Sequence, residues 1–106
     1  MSTLDAQFTL LEADVRALVA LLLEAEEGFW ANALKRSIAE IEAHHLAGAT
    51  SVLGCYGGVD TLSDLVIGRQ WSDAEPQRFR NLNARLDYLR TRTFDSANAI
   101  AARRTW

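Results

Sequence analysis

From Leu4 onward the apolar residues recur at Leu4, Phe8, Leu11, Val15, Leu18, Leu22 and Ala25, in alternating steps of four and three. An α-helix turns such residues onto one face, so this stripe commits the first quarter of the chain to an amphipathic helix. Leu10, Ala17 and Leu21 widen the stripe on one side. Ser2 or Thr3 suits its N-cap, and Gly28 suits the C′ position that ends a helix. The same period returns at the other end of the chain, at Phe79, Leu82, Leu86, Leu89, Thr93, Ala97 and Ile100. Ahead of it, Ser72-Asp73-Ala74-Glu75 has the capping-box form, with Pro76 in the first turn, where a missing N–H costs little. This helix runs toward Arg103 or breaks near Thr91–Thr93, where β-branched residues lower its propensity. Asp87 with Arg90, and Arg92 with Asp95, are spaced as exposed ion pairs.

Between these two long segments, Phe29 and Trp30 open a second helix that continues through Ala33, Leu34, Ile38 and Ile41 to about Leu46. The break at Gly28 is short, so the first two helices pack as an antiparallel hairpin. Residues 47–71 hold five of the six glycines. They read as a short helix over Ala49–Tyr56, a turn at Gly57-Gly58 and a helical stretch over Thr61–Ile67, with short strands at Ser51–Tyr56 or Asp64–Ile67 as the alternative. The fold class is therefore all-α: a small bundle of about four helices with a Gly-rich connector, a single domain over residues 1–106.

Composition supports a globular reading. The chain has 106 residues, 49% apolar and 24% charged, with one cysteine. Those are average values for a folded domain, and they exclude disordered, disulfide-rich and collagen-like classes. The longest strictly apolar run, Ala17–Leu23, is seven residues, far short of the roughly 18 that a membrane span needs. Asp5, Glu12 and Asp14 precede the first basic residue, which argues against a signal peptide or presequence and for the cytoplasm.

The net charge of −3 is unevenly divided. Residues 1–53 carry eight acids against three bases, whereas residues 54–106 carry six acids against eight bases. Glu24, Glu26 and Glu27 crowd the end of the first helix, where the macrodipole disfavours anions. With Glu40 and Glu42 they are candidates for a recruited binding surface, or else an ordinary solvated helix end. Arg78, Arg85 and Arg92 fall seven apart, with Arg103 and Arg104 beyond. Asp87 and Asp95 dilute that stripe, so a salt-bridged face is expected and nucleic acid is not a partner. Trp71 and Trp106 lie outside the seams and either cap the core or anchor a partner.

Few residues offer chemistry. His44, His45 and Cys55 are the conceivable transition-metal set, but neighbouring helical residues point about 100° apart and no recognised ligand spacing accompanies them. No metal or cofactor is expected. Cys55 lacks an acidic orienter for nucleophilic work and reads as a small buried hydrophobe. Around Gly57-Gly58, Asp60 and Asp64 would repel a phosphate, and the lysine of a P-loop is missing. Thr61-x-x-Asp64 reads as a self-capped helix start. The two aspartates stand about one turn apart, too few oxygens for a hard cation.

The phrase Phe29-Trp30-Ala31-x-x-Leu34, followed by Leu53-Gly54-x-x-Gly57-Gly58-Val59-Asp60-Thr61-Leu62-Ser63-Asp64-Leu65-Val66-Ile67, resembles a family of small bacterial proteins of unknown function. The family's hallmark is a Trp-Ala pair and a phrase of the form G-G-M-G-S-L-N-D-L-V-I. This chain departs at Val59, Asp60, Thr61 and Ser63, and keeps both glycines, Leu62, Asp64, Leu65 and the apolar pair after it. The resemblance extends over about residues 4–100. It implies an all-helical single domain of bacterial origin and brings no activity with it.

Two classes of function follow. The first is a cytoplasmic protein-binding domain, such as an immunity protein or antitoxin, that neutralises a toxin through Glu24, Glu26, Glu27, Glu40, Glu42, Asp60, Asp64 and Trp71. The second is a ligand-binding or enzymatic domain using Asp60, Asp64, His44, His45 and Cys55 around the glycine turn. A third reading is an oligomerisation module, because both heptad seams can pack between chains, as in a homodimer.

Overall fold

The seam beginning at Leu4 folds as α1 (Thr3–Glu24), and the C-terminal seam as α5 (Pro76–Ala101). The computed structural model describes residues 3–57 and 61–103. The two long helices lie antiparallel against each other, as their cross-pairs show: Glu24 with Arg85, Asp14 with Arg92 and Ser96, Gln7 with Arg103. Three shorter helices complete the bundle: α2 (Gly28–Lys35), α3 (Ile38–Glu42) and α4 (Leu46–Leu53). Two single 3-10 turns, Leu62–Asp64 and Arg69–Trp71, lie in the connector to α5. No strand occurs among the described residues, so the all-α expectation holds with five helices instead of about four.

Both seams are buried as their period requires. Phe8, Leu11, Val15, Leu18, Leu22 and Ala25 meet Leu82, Leu86, Ala97 and Ile100 in one core. Leu21 joins them, whereas Leu10 and Ala17 face solvent. Thus the widened stripe is narrower than expected. The seams are taken up within one chain. α5 continues through Thr91–Thr93 without a break.

The uneven charge has a structural use. Two acids of α1 face two arginines of α5 across the antiparallel seam, at Glu24–Arg85 (2.9 Å) and Asp14–Arg92 (3.3 Å). Asp14 is buried and also accepts a 2.6 Å bond from Ser96 Oγ. Asp87–Arg90 forms as expected, but Arg92 turns to Asp14 and the Tyr88 hydroxyl, not to Asp95.

The helix boundaries differ from expectation at four places, each for a local reason. First, the left-handed residue that closes α1 is Glu26, not Gly28. Glu26 adopts φ 63°, and the N–H groups of Glu27 and Glu26 close on the carbonyls of Leu22 and Leu23 at 2.8 and 3.1 Å. This is a Schellman cap with a glutamate in the left-handed position, leaving Gly28 free to open α2. Second, the predicted helix Phe29–Leu46 is divided. Buried Ser37 gives both its N–H (3.0 Å) and its hydroxyl (2.6 Å) to the Leu34 carbonyl, tightening the chain between α2 and α3. A second Schellman cap then closes α3, with His44 at φ 57° and bonds from His45 to Glu40 and from His44 to Ile41. Histidine is among the few side chains enriched in that region. α4 consequently starts at Leu46, ahead of the expected Ala49.

Third, Thr61–Ile67 is not a helix. After the single turn Leu62–Asp64 the backbone becomes extended at Leu65 (φ −63°, ψ 134°). Thr61 stands in the N-cap position without a side-chain cap bond. Gly57 has φ 102°; the rest of the expected Gly57-Gly58 turn, Gly58, Val59 and Asp60, lies outside the described residues, as do Ser2, Arg104 and Trp106. Fourth, the capping box does not form. Glu75 holds the N-cap position with no side-chain capping bond, its carboxylate turning to Arg78, and its N–H closes a turn on the Trp71 carbonyl at 2.8 Å. Proline at the first helical position starts α5 by itself.

One core position is out of step with its surroundings. Thr93 is fully buried, and its hydroxyl lacks a hydrogen-bond partner among the described residues. A buried hydroxyl without a partner costs about 1–3 kcal/mol. Thr93→Val keeps the shape and removes the polar atom. It should raise stability by roughly 1 kcal/mol, read as a higher urea midpoint at unchanged m.

Candidate functional site

Trp30 and the connector stand about thirty residues apart in sequence, yet they line one cleft. Its walls are Trp30 from α2 and Thr61, Asp64, Leu65, Val66 and Arg69 from the connector, around roughly 240 Å³. Trp30 of the first phrase and Asp64, Leu65 and Val66 of the second thereby face a single site. The corner between α1 and α2 is tied to it: Gln70 Nε2 donates to Glu26 at 3.1 Å.

The connector keeps its irregular path because α5 supplies its hydrogen bonds. Asn83 donates to the Ile67 carbonyl (2.8 Å) and accepts from the Ile67 N–H (2.9 Å). Arg90 donates to the carbonyls of Leu62 (3.1 Å) and Leu65 (3.0 Å) and pairs with Asp87. Arg78 stacks over the half-buried Trp71 ring at 3.6 Å. Gly68 turns the chain at φ 70°, with the Trp71 ring 3.2 Å and the Leu82 side chain 3.0 Å from where a Cβ would sit. A side chain there would meet both strain and the packed ring.

The five glutamates do not form one face. Glu24 pairs with Arg85, Glu26 accepts from Gln70, Glu40 lies 2.7 Å from His45 Nδ1, and Glu42 pairs with Arg16. Glu42 therefore sits beside Arg16, about two turns of α1 away from Glu24. Glu24, Glu26 and Glu27 belong to the corner; Glu40 and Glu42 do not. Asp64 is exposed on the cleft, Trp71 is held under Arg78, and Asp60 is outside the described residues. Among the described residues Asp64, Arg69 and Glu27 make no side-chain hydrogen bond or ion pair.

The histidines and the cysteine are not brought together with Asp64. The His44 ring stacks on Phe8 (centroids 5.0 Å apart, planes within 6°), and its Nδ1 lies 2.9 Å from Asp5. His45 turns to Glu40. Cys55 Sγ contacts the Ser51 carbonyl at 3.7 Å, and burial pushes its thiol above the usual value, against any thiolate role at neutral pH. No group of three potential metal ligands occurs among the described residues. A second cleft of about 430 Å³ lies between Leu53, Tyr56, Gly57, Ser63, Arg90, Thr91 and Phe94. There the Tyr56 hydroxyl donates to the Arg90 carbonyl at 2.7 Å, and burial raises its phenol well above the ordinary value. No helix among the described residues is long and apolar enough to cross a membrane.

Sequence reading missed Phe29 as a surface residue. It is 72% exposed and meets Trp30 edge-on at 5.0 Å. The signal was present: adjacent helical residues point about 100° apart, so Phe29 and Trp30 cannot both enter one core. Asn83 and Arg90, which hold the site, had no comparable signal, because their partners lie far away in sequence.

Residues 23–74 match a family model described as a domain of unknown function (DUF6966). That span contains every residue lining the Trp30 cleft and stops before α5. It supports the resemblance to a family of unknown function. No curated protein and no solved structure matches the chain.

Proposed function

We propose that the chain is a small cytoplasmic bacterial protein-binding domain that neutralises a toxin by occupying its surface. Phe29 carries the reading. A phenylalanine 72% exposed at the edge of a cleft lined by Trp30 is the kind of aromatic anchor that dominates interface energies. Leu23, also exposed, lies six residues away across the α1–α2 corner. Beside them Glu27 and Asp64 are acids whose side chains have no partner among the described residues, where most other charges are paired. A partner presenting a basic surface around an apolar pocket would satisfy both features. On this reading the domain works by occupancy alone, and α5 serves as the frame behind the docking surface.

The test is rescue. Products of genes flanking the native locus are expressed singly to find one that stops growth, then co-expressed with this chain. Wild-type chain should restore growth and bind that product directly. Phe29→Ala should weaken binding by about 2 kcal/mol, roughly thirty-fold, with its melting temperature unchanged. A chain that neither rescues nor binds any toxic neighbour, or a Phe29→Ala variant that binds as well as wild type, would overturn the reading.

A further inference from the structure

In the Trp30 cleft the backbone N–H and carbonyl of Val66 have no hydrogen-bond partner among the described residues. Asn83 satisfies both the N–H and the carbonyl of Ile67 with one carboxamide. A single planar group can do this only when both backbone atoms face the same way, as in the hydrogen-bonded pair of an antiparallel sheet. Two residues earlier, the Leu65 carbonyl is taken by Arg90, and Leu65 has extended dihedrals. In an extended chain successive residues present their polar groups to opposite sides. Val66, between them, receives no such bond from α5. Among the described residues neither atom has a hydrogen-bond partner, and Val66 lines the cleft with Trp30, Asp64 and Arg69.

We infer that the cleft takes an extended peptide segment of the partner protein, which pairs with the Val66 N–H and carbonyl as one residue of an added strand and places a lysine or arginine on Asp64. This inference rests on the protein-binding reading and specifies its docking mode. One residue's worth of ladder gives two backbone hydrogen bonds. The Trp30 ring supplies apolar contact for a side chain of the segment, and Asp64 supplies the charge preference. Arg69, whose side chain likewise has no partner among the described residues, stands at the other end to meet a carbonyl or an acid of the incoming chain. α5 holds the opposite edge, so the segment has one side on which to add.

The test uses three peptides on the full chain: Ac-Val-Lys-Val-Lys-Val-NH2, the same peptide methylated on every backbone nitrogen, and Ac-Val-Glu-Val-Glu-Val-NH2. The lysine peptide should move the Val66 amide and Trp30 indole resonances and slow exchange of the Val66 amide. It should bind at least about ten-fold tighter than either other peptide. Val66→Pro deletes the N–H where Leu65 already has the conformation favoured before proline, so the fold should be kept and binding lost by about ten-fold. Absence of binding by the lysine peptide, equal binding after methylation, or undiminished binding by folded Val66→Pro would each overturn the inference. The two proposals separate cleanly. A toxin bound alike by wild type and Val66→Pro but lost with Phe29→Ala leaves the protein-binding reading standing and removes the strand pairing. Peptide binding at Val66 without any toxin partner does the reverse.

Discussion

Gly48→Ala should destabilise the chain by about 2–4 kcal/mol, a fall of roughly 10–20 °C in melting temperature for a domain of this size. Gly48 lies in α4 where that helix crosses α3. A Cβ at this position would stand 2.8 Å from the Ile41 backbone nitrogen, 2.8 Å from Ile41 Cγ1 and 3.0 Å from the Glu40 carbonyl carbon. Two of those atoms are backbone and cannot rotate aside, so α3 and α4 must separate to admit a methyl group. Intrinsic propensity pushes the other way, since alanine in a helix interior is better than glycine by about 1 kcal/mol. The sign of the result therefore decides between local propensity and tertiary contact. Gly28→Ala is the matching control: nothing lies within 4 Å of its added Cβ, and it should be neutral or slightly stabilising. Urea unfolding of both variants measures the contrast. A Gly48→Ala protein as stable as wild type would mean that α3 and α4 do not touch at this point.

The contact at Gly48 also explains which parts of the fold could be read from sequence. α1 and α5 announce themselves because a period of three and four is a local property, and burial of one stripe against another follows from it. Their pairing is legible too, once acids of the first half and arginines of the second are seen as two sides of one seam. The middle of the chain is different. Glu26 and His44 cap helices in the left-handed region, a role that sequence preference assigns to glycine, and their side chains then reach Gln70 and Asp5 from those caps. Gly28 was the obvious stop signal and is not used as one. The candidate site divides in the same way. Trp30 and Asp64 were singled out by their phrases, but the acids Glu40 and Glu42 were grouped with Glu24 only by charge, and α3 carries them away from the corner. What shapes the cleft is a pair of side chains on α5, Asn83 and Arg90, bonding to backbone 16 to 28 residues earlier. No local pattern encodes those bonds.

Asn83→Ala should therefore dismantle the connector while leaving the α1–α5 seam in place. The carboxamide is the partner of both polar backbone atoms of Ile67, a residue with no solvent exposure. Removing it leaves a buried donor and a buried acceptor, at about 1–3 kcal/mol each, so a loss of roughly 2–6 kcal/mol is expected. Amide exchange should quicken across residues 61–71 before it does in α1 or α5, and binding at the Trp30 cleft should fall with it. Asn83→Asp sharpens the assignment through pH. A protonated carboxyl keeps the donor and acceptor that meet Ile67, losing only the second N–H that Asn83 gives the Phe79 carbonyl, whereas a carboxylate can only accept and faces the Ile67 carbonyl without a proton. The folded state thus favours the neutral acid and raises its pKa above that of the unfolded chain, near 3.9. The stability contributed by the neutral form is fully present below the unfolded value and is lost as pH rises through the folded one. Asn83→Asp should lie close to wild type at acid pH and fall below it by about 2 kcal/mol at neutral pH, the difference being taken against wild type at each pH. A constant gap across that range would show that the carboxamide does not bridge Ile67, and the unpaired edge at Val66 would lose the support that orients it.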